Sequence, residues 1–187
     1  MTHDIESLVI GAGVVGLAIG RALAAKGQDV LLLDKASYIG SETSSHNSEV
    51  IHAGLYYDPG SLKARFCVAG KKALYRFCAE NGVALRPCGK LVVAQSEAER
   101  PKLAALAKTA AANGVDDVRL LDRREALALE PALDCVGALL SPSTGVVDSH
   151  GYMQALEGHL TQHGGQVVLN SQVTSVAARD AGGFEVT

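Results

Sequence analysis

The sequence predicts an α/β fold with a parallel βαβ unit at its front, and three observations carry that expectation. An apolar run, IESLVI, flows into the turn GAGVVG; a helical pattern with Leu17, Leu23 and several alanines on one face follows; and a second apolar run, VLLLD, ends on an acid. Strand, glycine turn, helix and acid-terminated strand in that order form a dinucleotide-binding fingerprint, whereas a lone GxGxxG does not. Gly11 permits the tight turn out of the strand, Gly13 lets backbone approach a pyrophosphate, and Gly16 lets the helix pack closely on the strand. From Val14 and Val15 onward the helix aims free N–H groups and the positive end of its dipole at that anion. Asp34 follows Gly11 by about 20 residues, the place where a carboxylate accepts the ribose hydroxyls. The same acid disfavours a 2′-phosphate, and with it NADP.

Composition sets the outer bounds. With 187 residues, 48% of them hydrophobic, the chain has enough apolar material for a buried core. A net charge of −3 offers no basic footprint, so nucleic acid is not an expected partner. The opening MTHDIES is acidic and lacks the basic and apolar regions of a secretory signal, and no run reaches membrane-spanning length, so a cytoplasmic chain is expected. Cys67, Cys78, Cys88 and Cys135 form no CxxC pair and do not cluster with histidine. They are read as reduced core thiols, with no metal site and no redox disulfide.

After Asp34 and Lys35 comes a loop, SYIGSETSSHNS, whose Thr43, Ser44, Ser45, His46 and Asn47 are hydrogen-bonding groups able to line more of a large dinucleotide. A nicotinamide-type unit would proceed sooner into its next helix. EVIHAGLYY reads as a short strand, and Asp58-Pro59-Gly60 as the start of a long helix with Asp58 as N-cap and Pro59 at the first helical position. Leu62, Phe66, Ala69, Ala73 and Phe77 supply its apolar stripe, Asn81-Gly82 its end. Arg65, Lys72 and Arg76 fall together on another side, which is a solvated face or a peripheral membrane contact.

Further on, ALRPCGKLVVA reads as strand and turn, with Lys90 opening a strand. Ser96 with Glu99, and Asp122 with Glu125, match capping boxes for a helix running to Asn113-Gly114 and a shorter one ended by Pro131. GALLSP and TGVVD are strands, Ser149 caps a helix to His163, and QVVLN and QVTSVAARD lead through Gly182-Gly183 to a hairpin with FEVT. Only two parallel strands are countable near the N-terminus, and a doubly wound sheet needs more. Strands from residue 84 onward instead look like a second, mixed sheet. The expected division is therefore 1–83 for the front of the nucleotide domain, 84–147 for part of a substrate domain, and 148–187 for a helix and strands returning to the first.

The run from GAGVVG through SSHNSEVIHAGLYYDPGSLKARFC and CGKLVVA to STGVVDSHGY resembles the FAD-dependent D-amino acid oxidase-like oxidoreductases, and within them is most similar to the L-2-hydroxyglutarate dehydrogenases and oxidases. The resemblance implies a Rossmann-like FAD-binding domain of the glutathione reductase type, incomplete here, with part of a mixed-sheet substrate domain. It maps Gly11, Gly13, Val14, Val15, Gly16, Asp34 and Lys35 to the ADP half of FAD, and Thr43, Ser44, Ser45, His46 and Asn47 to the half nearer the flavin. The reaction implied is oxidation of a 2-hydroxy acid to the 2-oxo acid, with hydride passing to flavin N5 and electrons then to oxygen or a quinone. Such chemistry asks the protein for a base, for cations facing carboxylates, and for exclusion of water. His46 and His52 are the base candidates, His46 first because its loop passes near the ring; Tyr56, Tyr57 and Lys90 are the substrate-contact candidates.

Two departures bear on the substrate. A sister group, the flavin-linked glycerol-3-phosphate dehydrogenases, carries an arginine where this chain has Tyr56, which argues against a phosphorylated substrate. Glu49 stands where the hydroxyglutarate enzymes frequently have glycine. The family also continues for about as much chain again, so the expectation is of an N-terminal portion that exposes a sheet edge and, alone, binds FAD weakly. Competing readings are an amino acid or amine oxidase of the same superfamily, a non-catalytic FAD-binding module that needs the remaining half, and, more distantly, an NAD-dependent dehydrogenase.

Overall fold

The computed structural model describes residues 4–187. They divide into two compact units: one takes the chain up to Ser48 together with Ser149–Thr187, the other spans Glu49–Asp148. The first crossing thus comes after Ser48 rather than at 83/84, because the segment from Glu49 onward pairs with strands of the second unit. The return lies at 148/149.

In the first unit, β1 (Ser7–Ile10) runs parallel to β2 (Val30–Leu33), with Ser7 opposite Val30, and α1 (Val14–Ala24) joins them. The third parallel strand that the front of the chain lacks is supplied from its far end. After α5 (Ser149–Gln162), β9 (Gln166–Val168) adds beside β2, with Leu31 opposite Gln166. Sheet order is β1-β2-β9, so among the described residues β1 has a neighbour on one side only. Helices α1 and α5 pack together, and Leu17, Leu32, Met153, Leu156 and Leu160 are buried. Each such side chain contributes about 2 kcal/mol on leaving water. The hairpin around Gly182-Gly183 forms as expected, from β10 (Val176–Ala178) and β11 (Phe184–Val186).

The second unit holds two small antiparallel sheets. In one, β8 (Gly145–Val147) lies between β3 (Val50–Ile51) and β4 (Leu85–Arg86); in the other, β7 (Gly137–Ser141) lies between β5 (Lys90–Ala94) and β6 (Arg119–Asp122). Helix α3 (Arg100–Ala112) covers the second sheet, where Leu103 meets Ala94 and Leu139. The capping box of α4 (Arg123–Leu129) is present in full: Asp122 Oδ1 accepts the Glu125 N–H at 2.8 Å and Glu125 Oε2 the Asp122 N–H at 2.9 Å. The matching box at α3 is not. Ser96 makes no side-chain cap, and Glu99 accepts from Gln95 N–H, at 2.9 Å, ahead of a short 3₁₀ turn.

Helix α2 (Leu62–Asn81) departs from expectation twice. Its N-cap is Ser61, whose Oγ accepts the Ala64 N–H at 3.1 Å, and not Asp58. Gly60 at φ +81° cannot be helical, so Asp58-Pro59-Gly60 forms a separate turn closed by Ser61 N–H to Asp58 O at 3.1 Å. The expected apolar stripe is mostly in water as well: Phe77 is buried, but Leu62 and Phe66 are 61% and 68% exposed and Ala69 and Ala73 are exposed too. What α2 buries is Ala64, Phe77 and Cys78.

Candidate functional site

Two groups of candidate residues are brought together, one in each unit. In the first, β1 ends at Gly11 and α1 begins at Val14, with Gly13 as an N-cap that offers no side chain. A Cβ on Gly16 would fall inside the van der Waals radius of the Gly11 carbonyl oxygen, so only glycine permits this turn. The first turn of α1 holds no acidic residue, leaving its positive end unopposed. One donor there is already used: Ser44 Oγ, from the 3₁₀ turn Thr43–Ser45, accepts the Val14 N–H at 3.1 Å.

Asp34 sits where the fingerprint places it, but it also holds the turn. Its Oδ2 accepts the Ala12 N–H at 2.6 Å and its Oδ1 the Ala36 N–H at 2.8 Å. Each carboxylate oxygen keeps further lone-pair capacity, so ribose hydroxyls remain acceptable partners. The Asp34 backbone is pinned from the other end of the chain, its N–H donating to Val168 O at 3.0 Å and its O accepting from Ser171 N–H at 2.8 Å. Between Ile10, Gly13, Asp34 and Lys35 opens a cleft of about 320 Å³, within the usual range for small-molecule sites. Lys35 pairs with Glu42 at its rim, at 3.2 Å. A helix N-terminus with one of its N–H groups taken by Ser44, a close-packed glycine turn, a carboxylate with spare acceptor capacity and a cleft fit the ADP half of FAD.

Beyond Ser44, the loop supplies Ser45, His46 and Asn47. Asn47 Nδ2 donates to Ser44 O at 2.7 Å, and His46 Nδ1 lies 2.8 Å from Glu42 O. Facing a carbonyl, Nδ1 is the protonated nitrogen, which leaves Nε2 as the basic one.

The second group lies in the second unit, where His52, Tyr56, Tyr57, Lys90 and Thr144 surround a small hollow. His46 and His52 therefore belong to different units. Lys90 Nζ stands 4.7 Å over the Tyr56 ring, and Lys63 Nζ stands 4.7 Å over the Tyr57 ring. Lys63 escaped sequence reasoning; its place in the first turn of α2 carried no signal distinguishing it from a solvated lysine. Burial pushes the Tyr57 phenol above its ordinary range, reinforced by Cys67 and opposed by Lys90, so the hydroxyl stays a donor at neutral pH. Cys67 Sγ donates to His52 O at 3.2 Å. Burial pushes its thiol up too, against Lys71 and Lys63. The wall of the hollow at Thr144 is braced: Thr144 Oγ1 meets Ser141 Oγ at 2.9 Å, and Lys71 Nζ and Tyr75 OH bond to Ser143 beside it.

The sequence profile of the FAD dependent oxidoreductase family matches residues 6–187. The chain belongs to that family. FAD is accordingly its cofactor. The L-2-hydroxyglutarate dehydrogenase of Arabidopsis thaliana mitochondria is 50% identical over 152 residues, covering 81% of this chain and 32% of that protein. The L-2-hydroxyglutarate dehydrogenase of Escherichia coli K12 is 36% identical over 91% of this chain and 41% of its own, and the human mitochondrial enzyme 35% identical over 94% and 38%. This oxidoreductase chain thus spans well under half the length of the curated relatives it matches. Among solved structures, the dithionite-reduced L-alpha-glycerophosphate oxidase of Mycoplasma pneumoniae with FAD bound superposes with a TM-score of 0.94 at 29% identity, over 99% of this chain and 50% of that one. A glycine oxidase of Geobacillus kaustophilus shares the fold, with a TM-score of 0.85 at 23% identity. Among the described residues no cluster could hold a metal ion, and no helix is long and apolar enough to cross a membrane.

Proposed function

We propose that this FAD-dependent oxidoreductase oxidises a small 2-hydroxy acid of the L-2-hydroxyglutarate type to the 2-oxo acid. The observation that carries the reading is the grouping of side chains around a hollow of about 10 Å³, where the Lys90 ammonium stands over Tyr56 beside His52 and Tyr57. The names of the Arabidopsis, bacterial and human relatives support the same substrate. In this reading the glycine turn, Val14, Val15, Asp34, Lys35 and the Thr43–Asn47 loop hold FAD. When bound, FAD supplies the acceptor for the hydride that leaves the substrate α-carbon.

The chain's own groups have separate tasks. Lys90 pairs with a substrate carboxylate, and the protonated Tyr57 hydroxyl donates to an oxygen of the same acid. His52 shares the hollow with these groups and takes the hydroxyl proton as general base. His46, ranked first on sequence grounds, is assigned to the cofactor loop, since it does not line the hollow that holds His52, Tyr56, Tyr57 and Lys90.

A phosphorylated alcohol is the second reading, favoured by the likeness to the Mycoplasma oxidase. Tyr56 at the position of the sister group's arginine weighs against it. Oxygen or a quinone as acceptor belongs to the proposal, as does peripheral membrane contact through α2, whose exposed Leu62 and Phe66 lie among Arg65, Lys72 and Arg76. A reducing compartment, the cytoplasm first, suits the four free cysteines.

An anaerobic titration of the FAD-loaded protein at full family length with L-2-hydroxyglutarate tests the reading, following visible flavin absorption with glycerol 3-phosphate and amino acids as comparators. Bleaching by the hydroxy acid is expected. Bleaching by glycerol 3-phosphate or an amino acid alone overturns the substrate, and no bleaching by any donor favours a binding module.

A further inference from the structure

Residues 52–58 carry no regular secondary structure, yet they present His52, Tyr56 and Tyr57. Something must hold them. Part of the answer is apolar: Ala53 and Leu55 are buried against Ala110 and Val115 at the end of α3, while His52 before them and Tyr56 after them stay exposed. The other part is a single side chain. Asn113 Nδ2 donates to Gly54 O at 3.0 Å and to Tyr57 O at 2.8 Å, stapling the loop at two points three residues apart. Both neighbours are carbonyl oxygens, which decides the orientation of the amide.

Asn113 is itself fixed. Its backbone N–H donates to Thr109 O and Ala110 O at 3.1 and 3.0 Å, and Gly114 at φ +79° ends α3 immediately after it. The same helix locates the strand that Lys90 opens. Leu106 packs against the loop's cluster and also against the cluster that Leu103 of α3 forms with Ala94 of β5 and Leu139 of β7. Loop and strand are therefore both referenced to α3, and the contact of Lys90 with Tyr56 follows from that shared reference.

Resting on the substrate reading above, we propose that Asn113 is a positioning residue: its two amide hydrogen bonds set the Tyr56–Tyr57 segment against Lys90 and so govern substrate affinity. Asn113 touches neither substrate nor cofactor in this assignment. Its Oδ1 is buried without a partner. An Asn113→Ala change removes this unsatisfied acceptor but leaves the Gly54 and Tyr57 carbonyls without their amide donor, so it costs some stability while freeing the loop. Asn113→Asp keeps the shape and replaces the donors with oxygen, which repels both carbonyls.

The test is steady-state kinetics on the FAD-loaded protein at full family length, with Lys90→Met as a positive control for the loop. Both Asn113 variants are expected to retain flavin affinity and to raise KM about tenfold, the scale of a displaced binding group, while kcat changes less than about twofold. Unchanged KM in N113A and N113D beside a raised KM in K90M overturns the role of Asn113 alone. Unchanged KM in all three overturns the substrate reading and the inference with it. Loss of flavin binding in both variants overturns the inference too, because the effect would then be general unfolding.

Discussion

Ser44 Oγ accepts the Val14 N–H at 3.1 Å, so α1 is capped by a residue 30 positions further along the chain and not by its own N-cap, Gly13. The hydroxyl proton of Ser44 remains available to a phosphate oxygen, so one side chain serves both the helix and the anion. Ser44→Ala is expected to cost about 1 kcal/mol of stability, as lost caps do. Flavin fluorescence titration should show weaker FAD binding, and a thermal melt of the apoprotein should show the lost cap.

Gly16 has a harder limit. An added methyl collides with the Gly11 carbonyl, a backbone atom that cannot move without opening the turn. Gly16→Ala is expected to abolish FAD binding, measured as flavin retained through gel filtration, while a Gly158→Ala control, where a Cβ meets nothing within 4 Å, retains it.

Lys90 stands over Tyr56 with no acidic partner among the ion pairs of the described residues. A dicarboxylate substrate would be that partner. Lys90→Met is expected to raise KM for L-2-hydroxyglutarate about tenfold, the lower end for a charge-assisted hydrogen bond, with a smaller effect on a monocarboxylic hydroxy acid of poor affinity. Equal KM values for mutant and parent would remove Lys90 from the site.

Glu49 adopts φ +57°, a left-handed conformation that disfavours any residue with a Cβ. A glycine would adopt this conformation at no steric cost. Relief of strain outweighs the extra freedom glycine gains in the unfolded chain, so Glu49→Gly is expected to stabilise by about 0.5 kcal/mol, or about 1–2 °C in Tm. Differential scanning calorimetry of the holoprotein reads the sign directly.

Burial raises the thiols of Cys67 and Cys78 above their ordinary range. The thiolate is the nucleophile, so at pH 8 these two carry less of it than an exposed thiol does. Stability from keeping them protonated is full below the unfolded thiol range and is lost as pH rises through the higher folded value. Iodoacetamide with mass mapping should label exposed Cys88 first, and the lag of Cys67 and Cys78 should vanish in denaturant.

The glycine turn, Asp34, the serine loop and the α4 capping box were legible because each depends on residues a few positions apart. The start of α2 differs from the expectation for a local reason: Asp58-Pro59 is a good opening, but Gly60 takes a conformation the helix cannot use, and Ser61 is the better cap. Its stripe differs for a non-local one. Period alone says which residues share a face, and only neighbours say whether anything covers it; Leu62 and Phe66 meet none that does. Asn113 and Lys63 gave no signal, since an asparagine before glycine reads as a helix end and a lysine near a helix start as solvent-facing.

By itself, the sequence determined the βαβ fingerprint, the family and therefore the cofactor, since turn geometry and helix polarity are short-range consequences of residue type. Tertiary structure alone decided three things: that β9 completes the parallel sheet and clasps Asp34 through Val168 and Ser171, that the unit boundary falls at Glu49, and that one helix end holds the loop of Tyr56 and Tyr57. Each joins residues far apart along the chain, and such pairings are set by packing and by the satisfaction of buried backbone groups, which leave no periodic trace in either partner.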